Sequence, residues 1–378
     1  PVIYPRCVTW HGSTGRMIVG QDSEDDDRPG RGGSAMLVLS ALVVVLAVGL
    51  SFIHPPYAIY EPGPVTNTLE ATDGTPVVTV RGARTYPTSG ALDFTTVYVS
   101  GGPGAPVDGW DVLRAWADPA AEVVPRAEAF PPGASQDEIA EINTKEMANS
   151  QQEAIAVALR GLGRTVDEHV VVDAIEKGAP ALGALEAGDR ITAVDGRRVR
   201  TRVEAIRAIR ARRVGATVRL SVVRDGADRV VRVPTVGARV SGGGEVPVIG
   251  VILAPRFTFP FDVTIDAGEV GGPSAGMMLS LAVRDVLTPG AMTGGKQIAG
   301  TGTISERGSV GPIGGIEHKL VGARRAGAQW FLAPADNCSE VRGHVPDGLR
   351  VVRVSTHREA VDAVEAIAAD RTGALPSC

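Results

Sequence analysis

Gly271-Gly272-Pro273-Ser274-Ala275-Gly276, running into the apolar stretch Met277 to Leu287, is the segment on which the reading of this chain turns. Small residues on both sides of a hydroxyl let a substrate backbone approach closely, and a helix start aims N–H groups at any anion held there. Those are the requirements of a nucleophile beside an oxyanion hole. The same residues also suit a plain helix start, because Ser is a favoured N-cap and Pro is common in a first turn. A second segment, Gly311-Pro312-Ile313-Gly314-Gly315-Ile316-Glu317-His318-Lys319-Leu320-Val321, opens a helix expected to reach about Gly327. Ile316, Leu320 and Ala323 recur at helical spacing as an inward stripe, and Lys319 falls on the same face. Burial disfavours the ammonium form of such a lysine, and a neutral amine can accept a hydroxyl proton. The alternative is a lysine whose stem lies along the helix edge while its head reaches water. His318 points about 100° away from Lys319 on a helix and is expected at the surface.

Taken in order, G-P-S-A-G (Gly272–Gly276), T-G-T-I (Thr301–Ile304), P-I-G-G-I (Pro312–Ile316) and Lys319 resemble the proteolytic domain of Lon, the S16 serine protease family. The resemblance implies that Ser274 is the nucleophile, Lys319 the general base and Thr301 the support of the lysine. It implies no His or Asp in the site, no cofactor and no metal. One departure is Gly271, which stands where many Lon proteases carry an acidic residue three before the serine. Upstream, L-D-F-T-T-V (Leu92–Val97) and M-A-N-S-Q-Q-E-A-I-A-V-A-L (Met147–Leu159) resemble the early strand and helix of the same domain.

Between those two halves lies a compact unit, about His169 to Val236. Its strand Val170-Val171-Val172, the series K-G-A-P-A (Lys177–Ala181) and L-E-A-G-D-R-I-T-A-V-D-G (Leu185–Gly196), a short helix marked by Val203, Ile206 and Ile209, and a strand closed by the turn Arg224-Asp225-Gly226 resemble a PDZ domain of the bacterial protease type. Such domains bind extended peptides by adding a strand to an open sheet edge; the plainer alternative is a β-rich spacer. The expected fold is therefore α+β, a Lon-type proteolytic domain interrupted by a PDZ-like domain. Membrane-anchored Lon-like PDZ proteases of the YlbL type share this order, including Tyr60-Glu61-Pro62-Gly63-Pro64.

Ahead of all this, Ala35 to Ile53 carries no charge and is long enough to span a bilayer as a helix. Arg6, Arg16, Arg28 and Arg31 precede it and the next Lys or Arg is Arg81, which places the N-terminus in the cytoplasm and the rest outside. The expected division is a disordered tail over 1–34, a transmembrane helix over 35–53, the juxtamembrane segment and first part of the protease domain over 54–163, the PDZ domain over 164–237, the catalytic part over 245–371 and a tail over 372–378. Gly101 to Gly133 is expected as a Pro/Gly-rich loop, and Gln136 to Gly161 as a helix.

A net charge of −5 offers no basic surface to nucleic acid. Three cysteines are too few and too scattered for a zinc site; Cys338 and Cys378 are a candidate disulfide in an oxidising setting. Gly290 to Gln297 has the G-x-x-x-x-G-K frame of a phosphate loop but lacks the Ser or Thr that binds magnesium, so no nucleotide is expected. The expected activity is an ATP-independent serine endopeptidase acting on protein or peptide segments outside the cytoplasmic membrane, held by one contact with the lipid bilayer, with a homo-oligomeric ring implied by the resemblance. Two readings compete. One is a non-catalytic PDZ scaffold. The other is an esterase built on the G-x-S-x-G frame of Gly272–Gly276, for which Asp336 and His357 are the available partners.

Overall fold

The computed structural model describes residues 31–72, 75–240 and 244–378. Its two units are Pro1–Ile53 and His54–Cys378. The tail expected over 1–34 lies almost wholly outside the described residues. In the first unit, α1 (Arg31–Phe52) is helical as expected, and its apolar side chains from Met36 onward, Leu39, Val43 and Leu46 among them, are exposed. Among the described residues, however, no helix is long and apolar enough to cross a membrane, which corrects the transmembrane expectation for 35–53.

The second unit runs through β1 (Tyr57–Asn67), β2 (Val78–Arg81), β3 (Ala91–Ser100), α2 (Gly109–Ala117), β4 (Glu122–Pro125) and α3 (Gln136–Gly161). It continues with β5 (Asp167–Ile175), β6 (Arg190–Val194), α4 (Arg202–Arg210), β7 (Thr217–Arg224), β8 (Ala227–Pro234) and β9 (Val251–Thr258). The last part holds β10 (Asp262–Ile265), α5 (Gly276–Leu287), β11 (Gln297–Gly300), α6 (Ile316–Arg325), β12 (Trp330–Pro334), β13 (Arg350–Val354) and α7 (His357–Ala368).

One sheet has the order β13-β12-β11-β3-β1-β4. Strands β3, β11, β12 and β13 are parallel, while β1 is antiparallel to both β3 and β4. Because β3 lies in the interior of the sheet, its first half, Ala91 to Thr95, is buried on both faces, as a covered parallel strand requires. The core over this sheet joins Leu92 and Phe94 to Ile155 and Leu159 of α3 and to Met277, Met278 and Leu279 of α5, all at most 1% exposed. Helix α5 is apolar nearly all round because it is covered nearly all round. Strands on both sides of the inserted segment thus share one sheet and one core.

The smaller sheet, β8-β7-β6-β5-β9, has a core of its own from Val170, Val172, Leu185, Ile191, Leu220 and Val222. Its β7–β8 hairpin closes on Asp225-Gly226, both at positive φ (50° and 78°), the geometry that keeps two twisted strands in register across a two-residue turn. Strand β9 pairs with β5 out to Thr258 opposite Asp167, so this sheet draws on residues well beyond 237.

Helix α3 forms over the expected residues, with Ser135 and Glu138 as a reciprocal capping box. The expectation of a patternless loop over Gly101–Gly133 is corrected. Asp108 and Asp111 form a capping box for α2, whose Val112 and Ala115 pack on Ile59, and β4 adds an edge strand to β1. Cys338 and Cys378 form a disulfide.

Candidate active site

The site forms where three segments meet: the loop before α5, the end of β11 and the first turns of α6. Helix α6 opens on Gly315, whose φ of 65° is disfavoured for residues with a side chain and where an added Cβ would come within 3.0 Å of Val97 Cγ1. The turn sets the helix so that Ile316, Leu320 and Ala323 are fully buried, as the stripe predicted, and Lys319 goes in with them at 2% exposure. Lys319 Nζ donates to Ser274 Oγ at 2.9 Å and to Thr301 Oγ1 at 3.1 Å. The three residues singled out in the sequence are therefore brought into direct contact. Burial lowers the Lys319 pKa from its ordinary value to about 8. The edge-of-helix lysine is thereby excluded.

Thr301, fully buried, has its own hydroxyl proton committed to the Ser274 carbonyl at 3.1 Å, so only its lone pairs face the amine. Gly302 N–H donates to the same carbonyl at 2.8 Å. Ser274 does not cap α5: the N-cap is Ala275, and no side chain caps that end. Neither the Ser274 nor the Ala275 N–H has a hydrogen-bond partner among the described residues. Two amide donors without a partner thus belong to the residue that carries the hydroxyl and to the next one, the kind of group that an oxyanion hole uses.

The other candidates lie elsewhere. His357 donates its backbone N–H to Gly308 O, and its ring is buried against Gly161. Burial, then the Arg284 charge, lowers its pKa to about 4. Among the described residues no hydrogen bond joins His357, Asp336 and Ser274. Gly290–Lys296 leads into strand β11 rather than a helix, and Lys296 pairs with Asp370 at 2.8 Å. His318 is a correction, being buried and not at the surface. It stacks on Tyr60, and its ring nitrogens meet Ala120 O at 2.9 Å and Glu122 Oε2 at 3.3 Å. The 100° rotation away from Lys319 holds, but α6 packs on β1 and β3 as well as on its own apolar core, so two of its faces are covered.

Two supports escaped the sequence reading. Asn337, 1% exposed, accepts from Ile313 N–H and donates to Ile313 O, gripping the loop that launches α6. Ser150 on α3 donates to Pro273 O at 3.0 Å, and Asn143 O accepts from Gly272 N–H at 3.0 Å. Ser150 does carry a sequence signal, a polar residue placed at helical spacing between the apolar Met147 and Ala154. For Asn337 we find none.

Residues 154–235 match the PDZ domain family, and residues 262–369 match the Lon protease (S16) C-terminal proteolytic domain. The chain thus carries one segment similar to a PDZ domain and a second similar to a Lon-type proteolytic domain. Among particular relatives, Lon protease 1 of Bacillus subtilis (strain 168) is 35% identical over 102 residues, covering 26% of this chain and 13% of that protein. Lon protease of Azospirillum brasilense is 42% identical over 88 residues, 22% of this chain and 11% of that protein. The matched region therefore spans little more than a tenth of these relatives' length. A crystal structure of the PDZ domain of an SdrC-like protein from Listeria monocytogenes is 28% identical and covers 22% of this chain and 85% of that chain, with a TM-score of 0.20.

Proposed function

We propose that this chain is a serine endopeptidase in which Ser274 is the nucleophile, Lys319 the general base and Thr301 the residue that orients the lysine. The observation that carries the reading is the 2.9 Å contact between Ser274 Oγ and a lysine amine that is 2% exposed. With one N–H of the neutral amine given to Thr301, its lone pair faces the serine hydroxyl. As Oγ attacks the scissile carbonyl carbon, its proton passes to Nζ and the carbonyl electrons move to oxygen, where backbone N–H groups receive the charge. Collapse expels the amine half of the substrate, which takes the proton from Lys319. Water then repeats the sequence on the acyl-enzyme, with Lys319 again as base.

Hydrolysis of an unstructured fluorogenic polypeptide by the purified full-length chain tests this. Ser274→Ala and Lys319→Ala should each abolish it. Activity that survives Lys319→Ala would favour an esterase-like triad, and a wild type inert toward any unstructured chain would favour the scaffold reading.

In this reading the protease needs no ATP and acts on segments already flexible or exposed, and the PDZ domain recognises or gates them. Its groove would lie between α4 and the start of β9, lined by Ile206, Ile209, Ile249, Val251 and Leu253 around a cavity of about 210 Å³. The site belongs outside the cytoplasmic membrane. The Cys338–Cys378 disulfide fits an oxidising compartment. Protease added outside intact cells should reach the second unit. A ring of like chains is part of the same proposal; a mass measurement in detergent that returns only monomers would remove it.

A further inference from the structure

The loop that carries Ser274 is clamped from two directions. On one side, Thr301 and Gly302 hold the Ser274 carbonyl. On the other, α3 holds the peptide just before it. Ser150, 2% exposed, donates its hydroxyl to Pro273 O at 3.0 Å, and Gly276 N–H reaches the same oxygen at 3.2 Å. Seven residues earlier on the same face of α3, Asn143 O takes the Gly272 N–H at 3.0 Å. A Cβ placed on Gly276 would come within 2.5 Å of the Ser150 hydroxyl, so that hydroxyl sits in the notch between the Pro273 carbonyl and the first residue of α5.

The geometry of a peptide unit gives this contact a chemical consequence. Among the described residues no peptide bond is cis, and in a planar trans peptide the carbonyl of one residue and the N–H of the next point in opposite directions. Fixing Pro273 O toward Ser150 therefore turns the Ser274 N–H away from α3. That N–H has no hydrogen-bond partner among the described residues. It sits on the nucleophile's own backbone, where a substrate carbonyl attacked by Oγ must place its oxygen.

Resting on the peptidase reading above, we infer that Ser150 is a positioning residue: through the Pro273 carbonyl it orients the Ser274 N–H as an oxyanion donor. Ser150 touches no reacting atom. Its role is to stop the Pro273–Ser274 peptide from rotating as negative charge grows on the substrate oxygen. Preorganised donors of this kind stabilise the transition state because they do not have to turn when charge appears.

The test uses the full-length chain in detergent, a fluorogenic peptide and a peptide boronic acid of matching sequence, which forms a tetrahedral adduct on a serine. Deleting an oxyanion donor outright costs roughly 10²–10³ in kcat, so releasing one from its orientation in Ser150→Ala should cost about 10- to 100-fold. KM should stay within about twofold, since the ground-state carbonyl draws little on that donor. Boronate affinity should fall by the same factor as kcat, and the melting temperature should stay close to that of the wild type. Ser150→Cys, similar in size and a weaker donor, should lie between the two, and it supplies the same readout if the alanine variant is unstable. A loss found only in KM, or an unchanged boronate affinity in a folded variant, overturns the inference while leaving the peptidase reading intact. A wild type with no Ser274-dependent hydrolysis removes both.

Discussion

The sharpest consequence of a lysine base held near pKa 8 is the shape of the pH–rate profile. In the proposed mechanism only neutral Lys319 is competent, so activity should fall as pH falls through about 8. From that value the neutral fraction is about 1% at pH 6, about 9% at pH 7 and about 90% at pH 9. Between pH 6 and 9, kcat/KM should therefore rise roughly 90-fold, by about a decade per pH unit on the lower limb. The assay is initial-rate hydrolysis of an unstructured fluorogenic peptide well below KM, in buffers of constant ionic strength. A histidine base of ordinary pKa would instead put the midpoint near 6.5 and flatten the profile by about pH 7.5. Lys319→Arg supplies the matching perturbation, because a guanidinium cannot give up its proton in this range; loss of a general base should cost about 10²–10⁴ in kcat. A midpoint below about 7, or an arginine variant that keeps more than a tenth of the activity, refutes the reasoning.

Three further outcomes follow from the described contacts. Glu153 is raised to about 7, by burial first, with Arg202 opposing and Glu306 and Glu168 adding to the rise. A carboxyl whose folded pKa exceeds its unfolded one contributes stability at low pH that is lost as pH rises through about 7, so urea denaturation should show the wild type losing on the order of 3 kcal/mol from this group between pH 4.5 and 8; Glu153→Gln should remove that slope. Asn337→Ala leaves both backbone groups of Ile313 without their side-chain partner, which should cost about 2–4 kcal/mol in chemical denaturation and lower kcat by loosening the start of α6. Reducing the Cys338–Cys378 bridge, which closes a separation of 40 residues, should slow the band on a non-reducing gel and lower stability by at most about 4 kcal/mol.

Much of this was legible in the sequence because local chemistry and tertiary need agree there. The Ser135–Glu138 box announces α3, the Asp225-Gly226 pair announces the β7–β8 hairpin, and the stripe of Ile316, Leu320 and Ala323 places Lys319 inward. The motif order around Ser274, Thr301 and Lys319 was equally readable, since each stretch is short and carries its own glycines. What was hidden depends on partners distant in the chain. His318 looked free to face water because helix rotation speaks only of one helix, and nothing local says that β1 and β4 cover its second face. Helix α2 was passed over although Asp108 and Asp111 mark its start, because the surrounding Pro and Gly obscure a stretch of only 9 residues. Ser150 lies 123 residues from the carbonyl it holds, a distance at which no spacing rule operates.

The pairing of β5 with β9 has one more consequence, for assembly of the chain. Asp167 and Thr258 are Cα partners, so the ends of the inserted unit emerge side by side, about one strand spacing or ~5 Å apart. When β3 is synthesised, its neighbour β11 lies some 200 residues away; Gln297 and Asp93, which bond across that gap, are 204 residues apart. An insert that folds on its own would shorten this search by closing its stretch of the loop first. The entropy saved is small, since halving a loop is worth only about 0.6 kcal/mol. Ser274 lies beyond the insert's last strand, which ends at Thr258, so its loop is synthesised only once every strand of the insert is complete. The same adjacency makes the insert a cassette. A linker of a few residues could replace it without moving β1, β3 or α3, and another unit with neighbouring termini could take its place.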